Sequence, residues 1–199
     1  MVLEILAVVL SYLIGSISFS IVIAKLVKGI DIRQHGSGNA GATNTLRVLG
    51  RGPGLMVFVL DIGKGIGAVL IGHVASDNGW VPVLCGLAAI IGHNWPIYFR
   101  FKGGKGIATT VGVIATLAFW PALCAGIVAI ISIAITRYVS LGSLLFALLT
   151  PIFIVVFQYS LPLFAGALII TLFAFLRHRS NIGKLLQGTE NKLGVKKGA

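Results

Sequence analysis

Four polar patches interrupt an otherwise apolar chain, and each carries residues able to handle anions. The first reads His35-Gly36-Ser37-Gly38-Asn39-Ala40-Gly41-Ala42-Thr43-Asn44-Thr45-Leu46-Arg47. Small residues let backbone N–H groups converge on an anion, and a helix starting near Ala42 would aim its N-terminus at the same point. Ser37, Asn39, Thr43 and Asn44 can donate hydrogen bonds, and Arg47 can fork onto a phosphate. Gly36, Gly38 and Gly41 have the G-x-G-x-x-G spacing, and Asp61 follows about twenty residues on, as in a dinucleotide fold. That reading fails on context: no strand precedes the glycines, and Asp61 lies inside an apolar run.

The second patch is Asp61-Ile62-Gly63-Lys64-Gly65. Asp61 and Lys64 share a helix face, and ionisable residues within an apolar helix usually face a polar cavity. Lys64 is expected to point at substrate oxyanions with Asp61 holding it; a purely structural pair is the alternative. The third patch joins Gly92-His93-Asn94-Trp95-Pro96 to Phe101-Lys102-Gly103-Gly104-Lys105-Gly106. It lacks the Walker spacing, yet it offers a second backbone nest beside a lysine. His93 suits a general base, a hydrogen-bond donor or a buried core histidine. The fourth comprises Ser140-Leu141-Gly142-Ser143 and a tail, Arg177-His178-Arg179-Ser180-Asn181-Ile182-Gly183-Lys184, followed by Glu190. Alone, the tail is a basic membrane-surface segment, in which Glu190 would neutralise an arginine or lysine and order the chain. HExxH, GxSxG and glycosidase-type carboxylate pairs are absent, and the four histidines are scattered. Cys85 and Cys124 sit in apolar runs with no adjacent base. Neither a metal site, a cofactor nor a covalent acyl-enzyme is expected.

The elements that position these patches follow from composition. The 199 residues are 57% hydrophobic with a mean hydropathy of +1.00. Charged residues make up 11%, against about 25% in a soluble domain. A soluble enzyme, a disordered chain and a coiled coil are excluded, and the 26 glycines follow no collagen period. The expected fold is an all-α integral membrane protein forming one domain over 1–199. The N-terminal apolar run has no basic residue before it and ends in Lys25 and Lys28, which describes a spanning helix rather than a secretory signal. Further apolar stretches cover roughly 54–75, 80–98, 106–120, 122–136, 141–158 and 161–176. Seven spans with the N-terminus outside and the C-terminus cytoplasmic place 15 of the 16 Lys and Arg residues inside, with Lys64 within a span. Reading 106–136 as one helix would move Arg137 and the basic tail outside, against the positive-inside rule. The fourth and fifth spans are then short, roughly 15 residues each. The net charge of +11 suits anionic lipid or anionic substrates rather than nucleic acid.

The motifs HGSGNAGATNTLR, DIGKG, GHNWPIYFRFKGGKGIAT and RHRSNIGKLLQGTE resemble, in order and spacing, those of the bacterial acyl-phosphate:glycerol-3-phosphate acyltransferases (PlsY type), over nearly the whole chain. The resemblance implies a multi-pass enzyme of the bacterial inner membrane in phospholipid synthesis, with its active site facing the cytoplasm. It would transfer a fatty acyl group from acyl phosphate to the 1-hydroxyl of glycerol 3-phosphate, giving lysophosphatidic acid and inorganic phosphate. No obligate protein partner is implied. Carried over, the family motifs fall on Ser37, Gly38, Asn39, Gly41, Thr43, Asn44 and Arg47, on His93, Gly103, Gly104 and Lys105, and on Arg177, His178, Asn181 and Glu190. Asp61, Lys64 and Ser140 match as well. Acyl phosphate is expected on Ser37, Gly38, Asn39, Gly41, Thr43, Asn44, Lys64, Gly103 and Gly104. Glycerol 3-phosphate is expected on Arg47, Lys105, Ser140, Ser143, His178 and Asn181. His93, Lys105 and Arg47 are the catalytic candidates; Asp61 and Glu190 are expected to be structural. An organic-phosphate transporter would also want a cationic site among helices, but no matching halves are visible. A glycine-packed scaffold is the remaining alternative.

Overall fold

The computed structural model describes residues 1–194, which form helices and loops with no strand among them. The chain divides into two compact units, Met1–Leu117 and Ala118–Ala199.

The first unit contains α1 (Val2–Gly15), α2 (Phe19–Lys28), α3 (Ala42–Leu49), α4 (Arg51–Ala75), α5 (Trp80–Asn94) and α6 (Ile107–Leu117). α1 packs on α5, α4 on both α5 and α6, and α3 on α4. Glycine permits the closest approaches. A Cβ on Gly112 would overlap the Ile62 carbonyl, and one on Gly65 the Thr109 carbonyl, so α4 and α6 meet backbone to backbone. Such contacts hold membrane helices where apolar burial alone drives little association.

The N-terminal run is not one straight helix, as its hydropathy predicts, but breaks between Gly15 and Phe19. A break in an apolar medium frees carbonyls that must find donors within the protein. Lys64 of α4 supplies them, donating from Nζ to the carbonyls of Gly15 (3.0 Å) and Ile17 (2.9 Å).

The second unit contains α7 (Phe119–Thr136), α8 (Val139–Val156), α9 (Leu161–Arg177) and α10 (Arg179–Leu186). α8 packs against both α7 and α9. Pro151 inside α8 has no N–H to offer the Ala147 carbonyl. The Thr171 hydroxyl of α9 lies 2.7 Å from that carbonyl and 2.8 Å from the Ala167 carbonyl of its own helix, so its single proton is shared between the two helices at the defect. A cavity of about 440 Å³ opens beside Pro151 between Leu148, Ile152, Val155, Phe164 and Leu168. It is walled by apolar groups, well along α8 from Ser140.

Among the described residues, five segments are long and apolar enough to cross a membrane: Val2–Lys28, Arg51–Ala75, Trp80–Phe99, Phe119–Thr136 and Val139–Val156. A sixth is formed if Leu161–Arg177 and Arg179–Leu186, bent by 62°, count as one. The expected fourth span is shorter than its apolar run: α6 has 11 residues, about 16 Å of helix against a hydrocarbon core of about 30 Å.

Candidate active site

In the first unit, the loop after α2 is held open by side chains rather than by regular structure. Asp31 accepts from the Arg33 backbone N–H at 3.0 Å and pairs with its guanidinium at 2.7 Å. The guanidinium hydrogen-bonding to Asp31 holds that carboxyl below the usual carboxylate range. The same guanidinium donates through Nη1 to the carbonyls of Phe99 (3.1 Å) and Lys102 (3.4 Å). Arg33 therefore ties the base of one glycine-rich loop to the approach of the other.

Buried Asn44 organises the interior of the first loop. Its Oδ1 accepts the Ser37 N–H at 2.8 Å, while Nδ2 donates to the carbonyls of Ile32 (3.1 Å) and His35 (2.9 Å). Gly36 adopts φ +62°, and a Cβ there would strike the Asn44 amide. With both amide hydrogens engaged, Asn44 is a scaffold, which corrects its expected place among the phosphate donors. α3 begins at Ala42, as the loop pattern predicts, with Gly41 as its N-cap and no side-chain cap. Ser37, Gly38 and Arg47 are exposed, Asn39 and Thr43 half-buried, and Gly41 buried.

The second glycine-rich loop folds back over the end of α5. The Gly104 N–H donates to the His93 carbonyl at 3.1 Å. A Cβ on Gly103 would overlap that carbonyl, and a Cβ on Gly104 would overlap both the His93 Nε2 and the Ala40 carbonyl. The two loops thus meet at Ala40 and Gly104, with no room for a side chain between them. Half-buried Lys105 follows at once. His93 is 5% exposed. Its Nδ1 lies 3.6 Å from Asp61 Oδ1 and 3.4 Å from Thr109 Oγ1, while its Nε2 faces the Gly104 backbone.

Asp61 and Lys64 are both buried, and the ammonium lies 3.0 Å from the carboxylate. With the carbonyls of Gly15 and Ile17, this accounts for all three Lys64 donors. The expected contact of Lys64 with acyl phosphate is corrected accordingly: the lysine closes the break between α1 and α2. The Phe19 ring lies 5.7 Å from the ammonium, adding a cation–π contact.

The second unit gathers its own polar cluster. Glu190 Oε1 accepts from Ser140 Oγ at 3.1 Å and from Asn181 Nδ2 at 2.8 Å. The Leu193 N–H donates to the Arg137 carbonyl at 2.8 Å, fixing the tail to the α7–α8 turn. The contacts of Glu190 Oε1 come from a hydroxyl and an amide, where the sequence predicts an arginine or lysine. His178 is buried, and its Nδ1 lies 2.7 Å from the Ala174 carbonyl. A carbonyl only accepts, so this nitrogen carries the proton and presents Nε2 at the other edge of the ring. Ser143 donates to the carbonyl of Val139 at 2.8 Å. The hydroxyl protons of Ser140 and Ser143 are thus engaged within the protein, which leaves their oxygens as acceptors.

Sequence reasoning missed Arg33 as a connector, Tyr12, whose hydroxyl donates to the Trp95 carbonyl at 3.0 Å, and Thr109. Asp31 and Arg33, flanking the first loop at i,i+2, carried a readable signal; a tyrosine or threonine within an apolar run did not. Among the described residues no group of His, Cys, Asp and Glu is arranged to hold a metal ion.

The family model for glycerol-3-phosphate acyltransferase matches residues 5–188, and so runs through both units. The glycerol-3-phosphate acyltransferase of Shouchella clausii (strain KSM-K16) is 58% identical over 98% of this chain and 99% of its own length. That of Halalkalibacterium halodurans is 57% identical over 96% of each. The crystal structure of PlsY, an integral membrane glycerol 3-phosphate acyltransferase, in its glycerol 3-phosphate form, superposes with a TM-score of 0.91 at 42% identity, covering 96% of both chains. Its lysophosphatidic acid form superposes with a TM-score of 0.89 at 41% identity, covering 96% of this chain and 95% of that one. By sequence along nearly its whole length and by fold, the chain belongs to the glycerol-3-phosphate acyltransferase family.

Proposed function

We propose that this chain moves a fatty acyl group from acyl phosphate to the 1-hydroxyl of glycerol 3-phosphate, releasing lysophosphatidic acid and inorganic phosphate. One observation carries this reading above the others: the contact of Ala40 with Gly104, which joins two glycine-rich loops and places Lys105 beside them. The small-residue segments around Ser37, Gly38, Asn39 and Gly41 and around Gly103 and Gly104, with Thr43 and the uncapped start of α3, suit the phosphoryl oxygens of acyl phosphate. Arg47 and Lys105 are the cations we assign to phosphate, and His178 and Asn181 the polar side chains we assign to glycerol 3-phosphate. The enzyme works as one domain in the bacterial cytoplasmic membrane, with α6 completing a seventh, shallow crossing and both glycine-rich loops on the cytoplasmic side.

The glycerol oxygen attacks the acyl carbonyl carbon, the carbon–oxygen bond to phosphate breaks, and phosphate leaves with that bridging oxygen. An acyl phosphate is a mixed anhydride, so it asks less of a base than an ester does. Both ring nitrogens of His93 face protein groups. We therefore assign His93 to positioning the 102–106 loop and give the proton to a phosphate oxygen of the donor. Rate comes from holding two anions together that otherwise repel, and from stabilising the developing oxyanion.

The test is donor choice. Purified protein in lipid is given glycerol 3-phosphate with acyl phosphate, acyl-CoA or acyl carrier protein. Lysophosphatidic acid formation with acyl phosphate alone is expected. Equal use of acyl-CoA would overturn the proposed donor. Loss of activity without a second compartment would favour a transporter.

A further inference from the structure

Glu190 has a use that ordering the tail leaves open. Its side chain is buried, with 8% of the residue exposed. Both contacts, from Ser140 and Asn181, fall on Oε1. Oε2 has no hydrogen-bond partner among the described residues and is itself buried. A buried carboxylate oxygen without a donor is costly, and native proteins rarely leave one so. In the second unit it is the one buried side-chain atom, among the described residues, left in this condition.

The chemistry of the substrates says what can fill it. Phosphate oxygens are acceptors and carry negative charge, so they avoid a carboxylate. An acyl chain has no donor. Hydroxyls donate, and of the two proposed substrates only glycerol 3-phosphate carries them. The 1-hydroxyl is the nucleophile, and its proton leaves in the reaction. The 2-hydroxyl keeps its proton throughout and needs a lasting acceptor. We infer that Glu190 Oε2 accepts the hydrogen bond of the glycerol 2-hydroxyl, making Glu190 a specificity-determining residue for the acceptor substrate. This rests on the acyl-transfer reading above. Ser140 and Asn181, by engaging Oε1, leave Oε2 as the oxygen available to a donor.

The experiment compares glycerol 3-phosphate with 1,3-propanediol monophosphate, which keeps the phosphate and the nucleophile but lacks the 2-hydroxyl. In the wild-type enzyme, kcat/KM should fall at least ~10-fold for the deoxy substrate, the effect of losing a hydrogen bond to a charged group. In Glu190→Gln the ratio between the two substrates should shrink to within ~3-fold, because the charged acceptor is gone. KM for acyl phosphate should not move. A merely structural glutamate would lower both activities together and leave the ratio at its wild-type value, which would overturn the inference. Equal use of both substrates by the wild type would overturn it without any variant, and if Glu190→Gln does not fold, the same substrate ratio is read in Glu190→Asp, where an unchanged ratio would overturn it. Absence of turnover with glycerol 3-phosphate itself would remove the acyl-transfer reading, and this inference with it.

Discussion

At the scale of single residues, the buried lysine teaches most. Asp61 and Lys64 are three residues apart, and the sequence alone shows that they share a helix face. What it hides is that the acceptors of Lys64 lie 49 and 47 residues away, on carbonyls exposed by a break in another helix. Replacing Lys64 with Met leaves Asp61 and both carbonyls without a cation, and should destabilise the protein by about 3–5 kcal/mol. Thermal unfolding in detergent measures this, and the double variant K64M/D61N should recover part of the loss. A K64M protein as stable as wild type would show that the pair does not hold the break. His93 is read as a positioning residue, so His93→Asn should lower turnover while preserving the shape of the pH–rate profile. Loss of the acidic limb would identify His93 as the base instead. Gly104 sits where the two glycine-rich loops meet, with no room for a side chain. Gly104→Ala should reduce activity at least ~100-fold, since small misplacements of a catalytic loop have effects of that size. Its helical circular dichroism should stay unchanged.

At the scale of elements, the start of α3 was readable because Gly41 and the residues after it follow ordinary helix-start chemistry. The scaffold role of Asn44 was not, because an asparagine in a glycine-rich loop serves a ligand or its own backbone equally well. The break in the first helix was hidden for a similar reason. Ser16 donates to the Tyr12 carbonyl at 2.9 Å, and a serine so satisfied does not interrupt an apolar pattern. The pairing of Asp31 with Arg33 also acts at this scale, because it connects two loops. The Asp31 carboxyl is depressed in the folded protein. Its contribution is therefore present above about pH 4 and disappears as pH falls through the folded value. For a pair this near the surface the contribution stays below about 1 kcal/mol. Stability of the wild type should fall slightly more than that of Asp31→Asn on acidification from pH 6 to the acid range. Identical acid profiles would show the pair to be idle.

At the scale of the whole molecule, composition and charge distribution were enough to read an all-helical membrane protein, and the motifs were enough to read its family. The number of crossings was less legible. Apolar runs set an upper bound on helix length, and α6 stops at 11 residues where Leu117 gives way to the non-helical Ala118. The basic loops predict an orientation: reporter fusions after Gly38 and at the C-terminus should both report the cytoplasm, and a periplasmic signal from either would reverse the assignment. The attachment of the tail through Glu190 and Leu193 was beyond sequence reasoning, since Ser140 on α8 and the Arg137 carbonyl in the turn before it are some fifty residues distant in sequence.

Direct attack of glycerol 3-phosphate on the acyl carbon is tested with acyl phosphate labelled with ¹⁸O at the bridging oxygen, the products being read by mass spectrometry. One lysophosphatidic acid is expected for each inorganic phosphate, with the label wholly in the phosphate. Label retained in fatty acid, or phosphate released without lysophosphatidic acid, would contradict it.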